Sequence, residues 1–122
     1  SSADQLSDTA PIQFLRPASG ALSVSMDQNL SGVRIRTTVG EAVSAAASGE
    51  VADTGFEADG NGRYVILSHD RGYRTSYHNL RSVDVTGGTS ITQGDVIGSA
   101  SEGYLFFAIE QLGFPLDPRQ FF

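Results

Sequence analysis

The sequence predicts an all-β domain with an antiparallel, sandwich-like or barrel-like arrangement of strands. From Ile12 onward, short β-branched or aromatic runs alternate with turns that contain glycine. No long stretch shows the 3.6-residue apolar period of an amphipathic helix. Because 122 residues are enough to bury one hydrophobic core, we expect a single domain. Several short strands at this spacing are typical of sandwiches and barrels.

The first element is a tail rather than a strand. Residues 1–11 are mostly small or polar and end at Pro11, a composition that buries too little apolar surface to order itself. We therefore interpret residues 1–11 as a flexible tail or linker and residues 12–122 as the domain. The segment Ala42-Val43-Ser44-Ala45-Ala46-Ala47 is predicted to be a strand, because Gly40 and Gly49 leave too little room for a stable helix.

Two tight turns then predict hairpins. Asp59-Gly60-Asn61-Gly62 precedes Tyr64-Val65-Ile66-Leu67, and Asp70-Arg71-Gly72 precedes Tyr73-Arg74-Thr75-Ser76-Tyr77. The final strand is predicted over Tyr104-Leu105-Phe106-Phe107-Ala108-Ile109. Each turn is expected to join two neighbouring strands that pair in antiparallel orientation.

Composition excludes several classes of function. A formal charge of -6 and a pI near 4.6 argue against a nucleic-acid partner, which would need a basic stripe. No apolar run approaches the ~20 residues that span a bilayer, so no membrane segment is predicted. Lysine is absent, which removes the attachment point of lipoyl and biotinyl carrier domains, and the absence of cysteine removes any thiolate metal site.

Over residues 14–118, glycines and hydrophobic residues stand at characteristic spacings from one another. The order is Gly40-x-x-Val43-x-Ala45-x-x-x-Gly49-x-Val51, then Val65-x-Leu67-x-His69-x-x-Gly72-Tyr73-x-Thr75-x-Tyr77-x-Asn79-Leu80. It continues as Val85-x-x-Gly88-x-x-Ile91-x-x-Gly94-x-x-Ile97-Gly98, Leu105-x-Phe107-x-Ile109 and Leu116-Asp117-Pro118. In this spacing the chain resembles the LytM or lysostaphin-type peptidoglycan endopeptidases, and the resemblance implies their antiparallel β fold.

The same resemblance implies where a zinc site would lie. Active members hold zinc through a His-x-x-x-Asp pair and the second His of a His-x-His strand. The first His of that strand and a His in a Tyr-x-His-Leu segment act on the attacking water, whose pKa the metal lowers to about 7. Here Leu30 and Arg34 stand at the first pair, Tyr104 and Phe106 at His-x-His, and Asn79 at the remaining His. We therefore expect neither a metal, a cofactor nor catalysis.

Arg34 gives this expectation a physical reason, because a guanidinium stays protonated and places a fixed positive charge where a dication would bind. In this respect the chain is similar to degenerate LytM factors of the EnvC/NlpD-like kind. That resemblance implies a non-catalytic regulator, periplasmic or otherwise extracytoplasmic, that binds and activates a peptidoglycan amidase during cell division.

Strand parity predicts which side chains form the groove, because successive strand residues point to opposite faces. Val33, Ile35, Leu105, Phe107 and Ile109 are assigned to the core. His78 is expected to turn away from the groove. The predicted groove combines Arg with aromatic residues, a composition typical of protein-binding hot spots. Its predicted members are Leu30, Arg34, Arg36, Tyr77, Asn79, Tyr104 and Phe106.

Three alternatives remain at the level of sequence. The domain could be an envelope scaffolding module, or it could bind peptidoglycan itself through its Tyr and Phe side chains. Leu30 and Phe106 could also simply fill the space left by a lost metal. A relocated metal site at His69 and His78 is less well supported, because two ligands lack the third that catalytic zinc needs. His69 is instead expected to form local hydrogen bonds.

Overall fold

The computed structural model describes residues 13–25, 32–58, 60 and 62–122, with the backbone alone at residues 24 and 25. Within these ranges the chain forms strands joined by turns, with two short 3₁₀ turns at Asp70–Gly72 and Pro118–Gln120. None of the described segments forms a helix long and apolar enough to cross a membrane. The strands are β1 (Leu22–Ser25), β2 (Gly32–Thr37), β3 (Ala42–Ser44), β4 (Gly49–Phe56), β5 (Arg63–Ser68), β6 (Tyr73–Val83), β7 (Ser90–Ile91), β8 (Val96–Ala100), β9 (Gly103–Gln111) and β10 (Phe114–Leu116).

All of these strands belong to one antiparallel sheet, which confirms the predicted fold class. Neighbouring strands follow the order β1-β2-β9-β6-β5-β4-β7. In addition, β10 pairs with β9, and β8 pairs with both β3 and β6. The long strand β6 is therefore central, because residues 73–78 pair with β9 while residues 80–83 pair with β8.

Alternation along β2 and β9 separates the core from the opposite, outer face of the sheet. Val33 and Ile35 on β2, and Leu105, Phe107 and Ile109 on β9, are each at most 1% exposed. These five residues were assigned to the core from parity, and the structure confirms that assignment. The residues between them therefore lie on the outer face.

Both predicted hairpins are present. Strand β4 pairs antiparallel with β5, and β5 pairs antiparallel with β6. In the first turn Gly60 N–H donates to the Glu57 carbonyl at 2.9 Å, while Asp59 and Asn61 lie outside the described residues. In the second turn Arg71 and Gly72 both have positive φ, at 61° and 76°.

The predicted strand over residues 42–47 is right for its first half and wrong for its second. Strand β3 ends at Ser44, and Ala45, Ala46 and Ala47 form a buried bend. Their backbone groups do not continue a ladder. Ala45 N–H donates to the Asp95 carbonyl at 2.8 Å, and Ala46 N–H donates to the Tyr77 hydroxyl at 2.9 Å. Groups outside β3 therefore provide the hydrogen-bond partners of these backbone N–H groups, and the three small alanine side chains are buried in the core.

His69 forms local hydrogen bonds, as predicted, and begins a chain of them. Its Nδ1 lies 2.7 Å from the Ser48 carbonyl, and its Nε2 lies 2.8 Å from Thr75 Oγ1. Thr75 Oγ1 is in turn 2.8 Å from the hydroxyl of Tyr77, which receives the Ala46 N–H. The chain ties the end of β5 and the middle of β6 to the bend after β3.

Candidate functional site

The outer face of β2, β9 and β6 carries the positions at which the family resemblance places a metal site. In the sheet register, Arg34 on β2 lies opposite Phe106 on β9, and Phe106 lies opposite His78 on β6. One step further along β2 and β9, Arg36 lies opposite Tyr104. We call this surface the outer-face groove; its members in the described residues are Arg34, Arg36, His78, Asn79, Tyr104 and Phe106.

Arg34 and Tyr104 contact each other within this groove. The Arg34 guanidinium carbon lies 4.5 Å from the centre of the Tyr104 ring, a distance typical of a cation–π contact. Arg34 is half-buried, whereas Arg36 is exposed and Tyr104 is 36% exposed to solvent. The pair places a fixed positive charge and an aromatic ring side by side at the β2 side of the groove.

Phe106 lies in the middle of the groove and is half-buried. Its ring passes so close to Gly32 that a Cβ on that glycine would lie 2.5 Å from the Phe106 ring tip. On the other side, the Phe106 ring centre is 5.8 Å from the ring centre of His78. Phe106 therefore fills the space between β2 and β6, and a glycine at position 32 is required for its placement.

Tyr77 was predicted to be a groove residue, and the structure shows that this placement is wrong. Tyr77 is fully buried in the core, where its ring contacts Phe107 at 5.3 Å. His78, which was expected to turn away, lies on the outer face instead. Its ring packs between Tyr64 and Phe106, with 5.8 Å between ring centres on each side.

The reason for this correction is a β-bulge at Asn79. Between the paired positions Val65–Tyr77 and Arg63–Leu80, β6 uses one residue more than β5. Asn79 has a φ of 68°, which Asn tolerates better than most residues. The extra residue places His78 and Asn79 on the same side of the strand, so simple alternation fails at this point.

Glu57 holds the bulge in place. Its carboxylate accepts the Asn79 N–H at 3.0 Å and lies 3.1 Å from His78 Nδ1. The Asn79 side-chain amide donates across to the Tyr104 carbonyl at 2.7 Å. Asn79 therefore occupies the position of a family histidine but links β6 to β9 by a hydrogen bond, so its amide has a structural partner.

Tyr64 and Asp53 complete the side of the groove that lies on β4 and β5. The Tyr64 ring stacks on His78, and its hydroxyl donates to Asp53 at 2.9 Å. This hydrogen bond raises the pKa of Tyr64 above its ordinary value, which keeps the hydroxyl protonated and donating. Sequence reasoning missed His78, Glu57, Tyr64 and Asp53, and the one available signal was an Asn, a residue tolerant of positive φ, within a strand.

The chemistry of the groove does not match a zinc site. Across the described part of the chain, no three His, Cys, Asp or Glu side chains come together as a metal-binding group. At the positions implied by the resemblance stand a guanidinium, two aromatic rings and an amide, from Arg34, Tyr104, Phe106 and Asn79. Leu30, the remaining predicted groove residue, lies outside the described residues.

Curated relatives of this chain come from several bacteria. A lipoprotein NlpD/LppB homolog of Pseudomonas aeruginosa is 34% identical over 113 residues, covering 86% of this chain and 38% of that protein. An uncharacterized metalloprotease of Haemophilus influenzae is 38% identical over 66 residues, covering 54% and 14%. The cell division protein DipM of Caulobacter vibrioides is 32% identical over 72 residues, covering 59% and 12%. The chain spans well under half the length of each of these relatives.

Comparison with solved structures and family models agrees with the sheet topology. The structure of a Pseudomonas aeruginosa protein classed with the M23 peptidases superposes with a TM-score of 0.75 at 22% identity, over 98% of this chain and 57% of that one. At this identity the likeness shows the fold. A model of peptidase family M23 matches residues 28–118, which is most of the chain. The chain therefore belongs to peptidase family M23, as a LytM-type domain.

Proposed function

We propose that this domain is a non-catalytic regulator of cell-wall hydrolysis, and that it binds and activates a peptidoglycan amidase through the outer-face groove. The observation that carries the proposal is Arg34, which places a permanent charge where the family resemblance puts an acidic zinc ligand. Phe106 and Tyr104 occupy the positions of the His-x-His pair and supply contact surface in place of ligands.

The names of two relatives support this reading. One is named as a lipoprotein NlpD/LppB homolog and the other as a cell division protein. On this basis we place the domain in the periplasm or another extracytoplasmic compartment. The metalloprotease relative makes a test of residual enzyme activity part of the proposal.

The arrangement of the rings favours a protein partner over a glycan. Sugars bind most readily to an aromatic face that is open to solvent. Here the Tyr64 and His78 rings stack on each other at an interplanar angle of 27°, and the Arg34 guanidinium covers one face of Tyr104. Tyr64, His78 and Tyr104 therefore each have one ring face already covered, which suits the packing of apolar and aromatic side chains from a polypeptide.

An activation assay tests the proposal. Each amidase of the source cell is mixed with dye-labelled peptidoglycan, with and without this protein, and dye release is measured. Wild-type protein should increase release. Arg34→Glu should reduce the stimulation by more than about tenfold, because it reverses the charge at a central contact residue.

Arg74→Glu is the matched control, since it makes the same charge change on the same sheet face. Arg74 pairs with Glu110, six residues along β9 from Tyr104 and so roughly 20 Å away. It should stimulate the amidase as the wild type does. Full stimulation by Arg34→Glu, with both variants folded by circular dichroism, would show that the groove is the wrong surface.

A further inference from the structure

The outer-face groove deepens into a pocket at its β2 side. This pocket has a volume of about 250 Å³. It lies where the start of β1 meets β2 and the first residues of β9. The lining residues are Ala21, Leu22, Ser23, Arg34, Arg36, Gly103 and Tyr104.

Among the described residues that line this pocket, the two charged ones, Arg34 and Arg36, are both cationic. Arg34 and Arg36 lie two residues apart on β2 and point to the same face, so their Cα atoms are roughly 7 Å apart. The Arg34 guanidinium contacts the Tyr104 ring. Arg36 is exposed and lies opposite Tyr104 in the sheet register. A guanidinium presents the planar, bidentate donor geometry that a carboxylate prefers.

The opposite side of the groove has the opposite charge. Glu57 and Asp53 lie there, and both carboxylates already accept hydrogen bonds, from Asn79 N–H and from the Tyr64 hydroxyl respectively. The chain as a whole has a formal charge of -6. An acidic group that enters the groove is therefore repelled at the β4–β5 side and attracted at the β2 side.

We propose that this pocket is a carboxylate-binding site that takes the acidic side chain of the partner polypeptide, with Arg36 as its main donor and Arg34 as its second. The identity of the partner rests on the proposed function, whereas the binding of a carboxylate by the pocket does not depend on it. It also gives the partner segment a direction, with its acidic residue over β2 and the rest of the segment crossing Phe106 and His78 toward β5.

The carboxylate chemistry can be tested without any amidase. Isotope-labelled protein is titrated with acetyl-glutamate amide, which carries one side-chain carboxylate, and NMR follows the Arg36 Nε–H and Tyr104 signals. We expect saturable shifts at both residues. Neutral acetyl-glutamine amide should leave them unchanged, and Arg36→Gln should weaken binding by roughly tenfold, the effect of losing one charge-assisted hydrogen bond.

Arg74→Gln is the control for a general loss of positive charge and should bind the probe as the wild type does. Equal shifts with acetyl-glutamine amide, or undiminished binding by Arg36→Gln, would overturn the proposal. Preference for acetyl-alanyl-alanine, which carries a terminal carboxylate, over the glutamate probe would also overturn it. Probe binding without amidase activation would contradict the proposed function alone, whereas activation that survives Arg36→Gln would contradict the pocket alone.

Discussion

The hydrogen-bond chain from Ser48 to Ala46 links His69, Thr75 and Tyr77, and its donors and acceptors balance when His69 is neutral. The Ser48 carbonyl can only accept, so His69 Nδ1 carries a proton and donates it. At the other end Ala46 N–H donates to the Tyr77 oxygen. With a neutral His69, Nε2 accepts from Thr75, and Thr75 in turn accepts from the Tyr77 hydroxyl. Each group donates once along the chain, and this requires a neutral imidazole.

Protonation of His69 would break this order. With a proton on Nε2, Thr75 must turn its hydroxyl toward Tyr77, whose own hydroxyl proton then has no acceptor in the chain. Burial lowers the pKa of His69 for the same reason that it disfavours any charged group, although the Ser48 carbonyl and Asp70 oppose that effect.

The first prediction is a loss of stability in mild acid. Because the folded state has the lower pKa, the unfolded chain binds the proton first, and the free energy of unfolding decreases as the pH falls below about 6.5 toward the folded pKa. One proton contributes at most about 1.4 kcal/mol per pH unit. Urea unfolding between pH 7.5 and 5 measures this slope, and His69→Gln should reduce it. An equal slope in both proteins would show that His69 is not the responsible group.

At the scale of secondary structure, the bulge at Asn79 determines which side chains of β6 reach the groove. Tyr77 packs in the core and His78 lies opposite Phe106 on the outer face, in regular alternation with the buried Thr75. Without the extra residue Asn79 would return to the core face with Tyr77; with it, Asn79 lies on the same side as His78. The register between β2 and β9 is unbroken, so Arg34, Arg36, Tyr104 and Phe106 lie on the face opposite the core residues between them.

Sequence could not reveal this bulge because alternation carries no information about the partner strand. Apart from the Asn itself, the extra residue shows in the pairing of β6 with β5, where two steps on one strand match three on the other. The stabilising partner, Glu57, comes from the end of β4, more than twenty positions away in the chain. The bend at Ala45–Ala47 could not be predicted from the local sequence either, because its backbone hydrogen-bond partners, Asp95 and Tyr77, are distant in the chain.

The second prediction isolates the backbone strain at this bulge. Asn79→Gly and Asn79→Val both lose the side-chain bond to the Tyr104 carbonyl, but glycine accepts a φ of 68° without cost whereas a β-branched residue does not. Asn79→Val should therefore be less stable than Asn79→Gly by about 1–2 kcal/mol. Chemical denaturation gives the difference directly. Equal stability of the two variants would mean that β6 can run straight at this point.

At the scale of the whole molecule, an M23 fold is retained around a groove with different chemistry. The spacing of glycines and core residues predicted the family and the all-β fold, because these positions maintain turns and packing whatever the groove contains. The groove itself has Arg34 and Arg36 on β2, Asp53 and Glu57 on and just after β4, and aromatic rings between them. In the function proposed above, this polarity would orient a bound polypeptide.

The decisive measurement for a non-catalytic regulator is dye release from labelled peptidoglycan, by this protein alone with excess zinc and by an amidase of the source cell with and without the protein. We expect no release by the protein and zinc above the buffer control, together with increased release by the amidase when the protein is added. Release by the protein and zinc alone would show that the groove performs hydrolysis and that the domain is an enzyme.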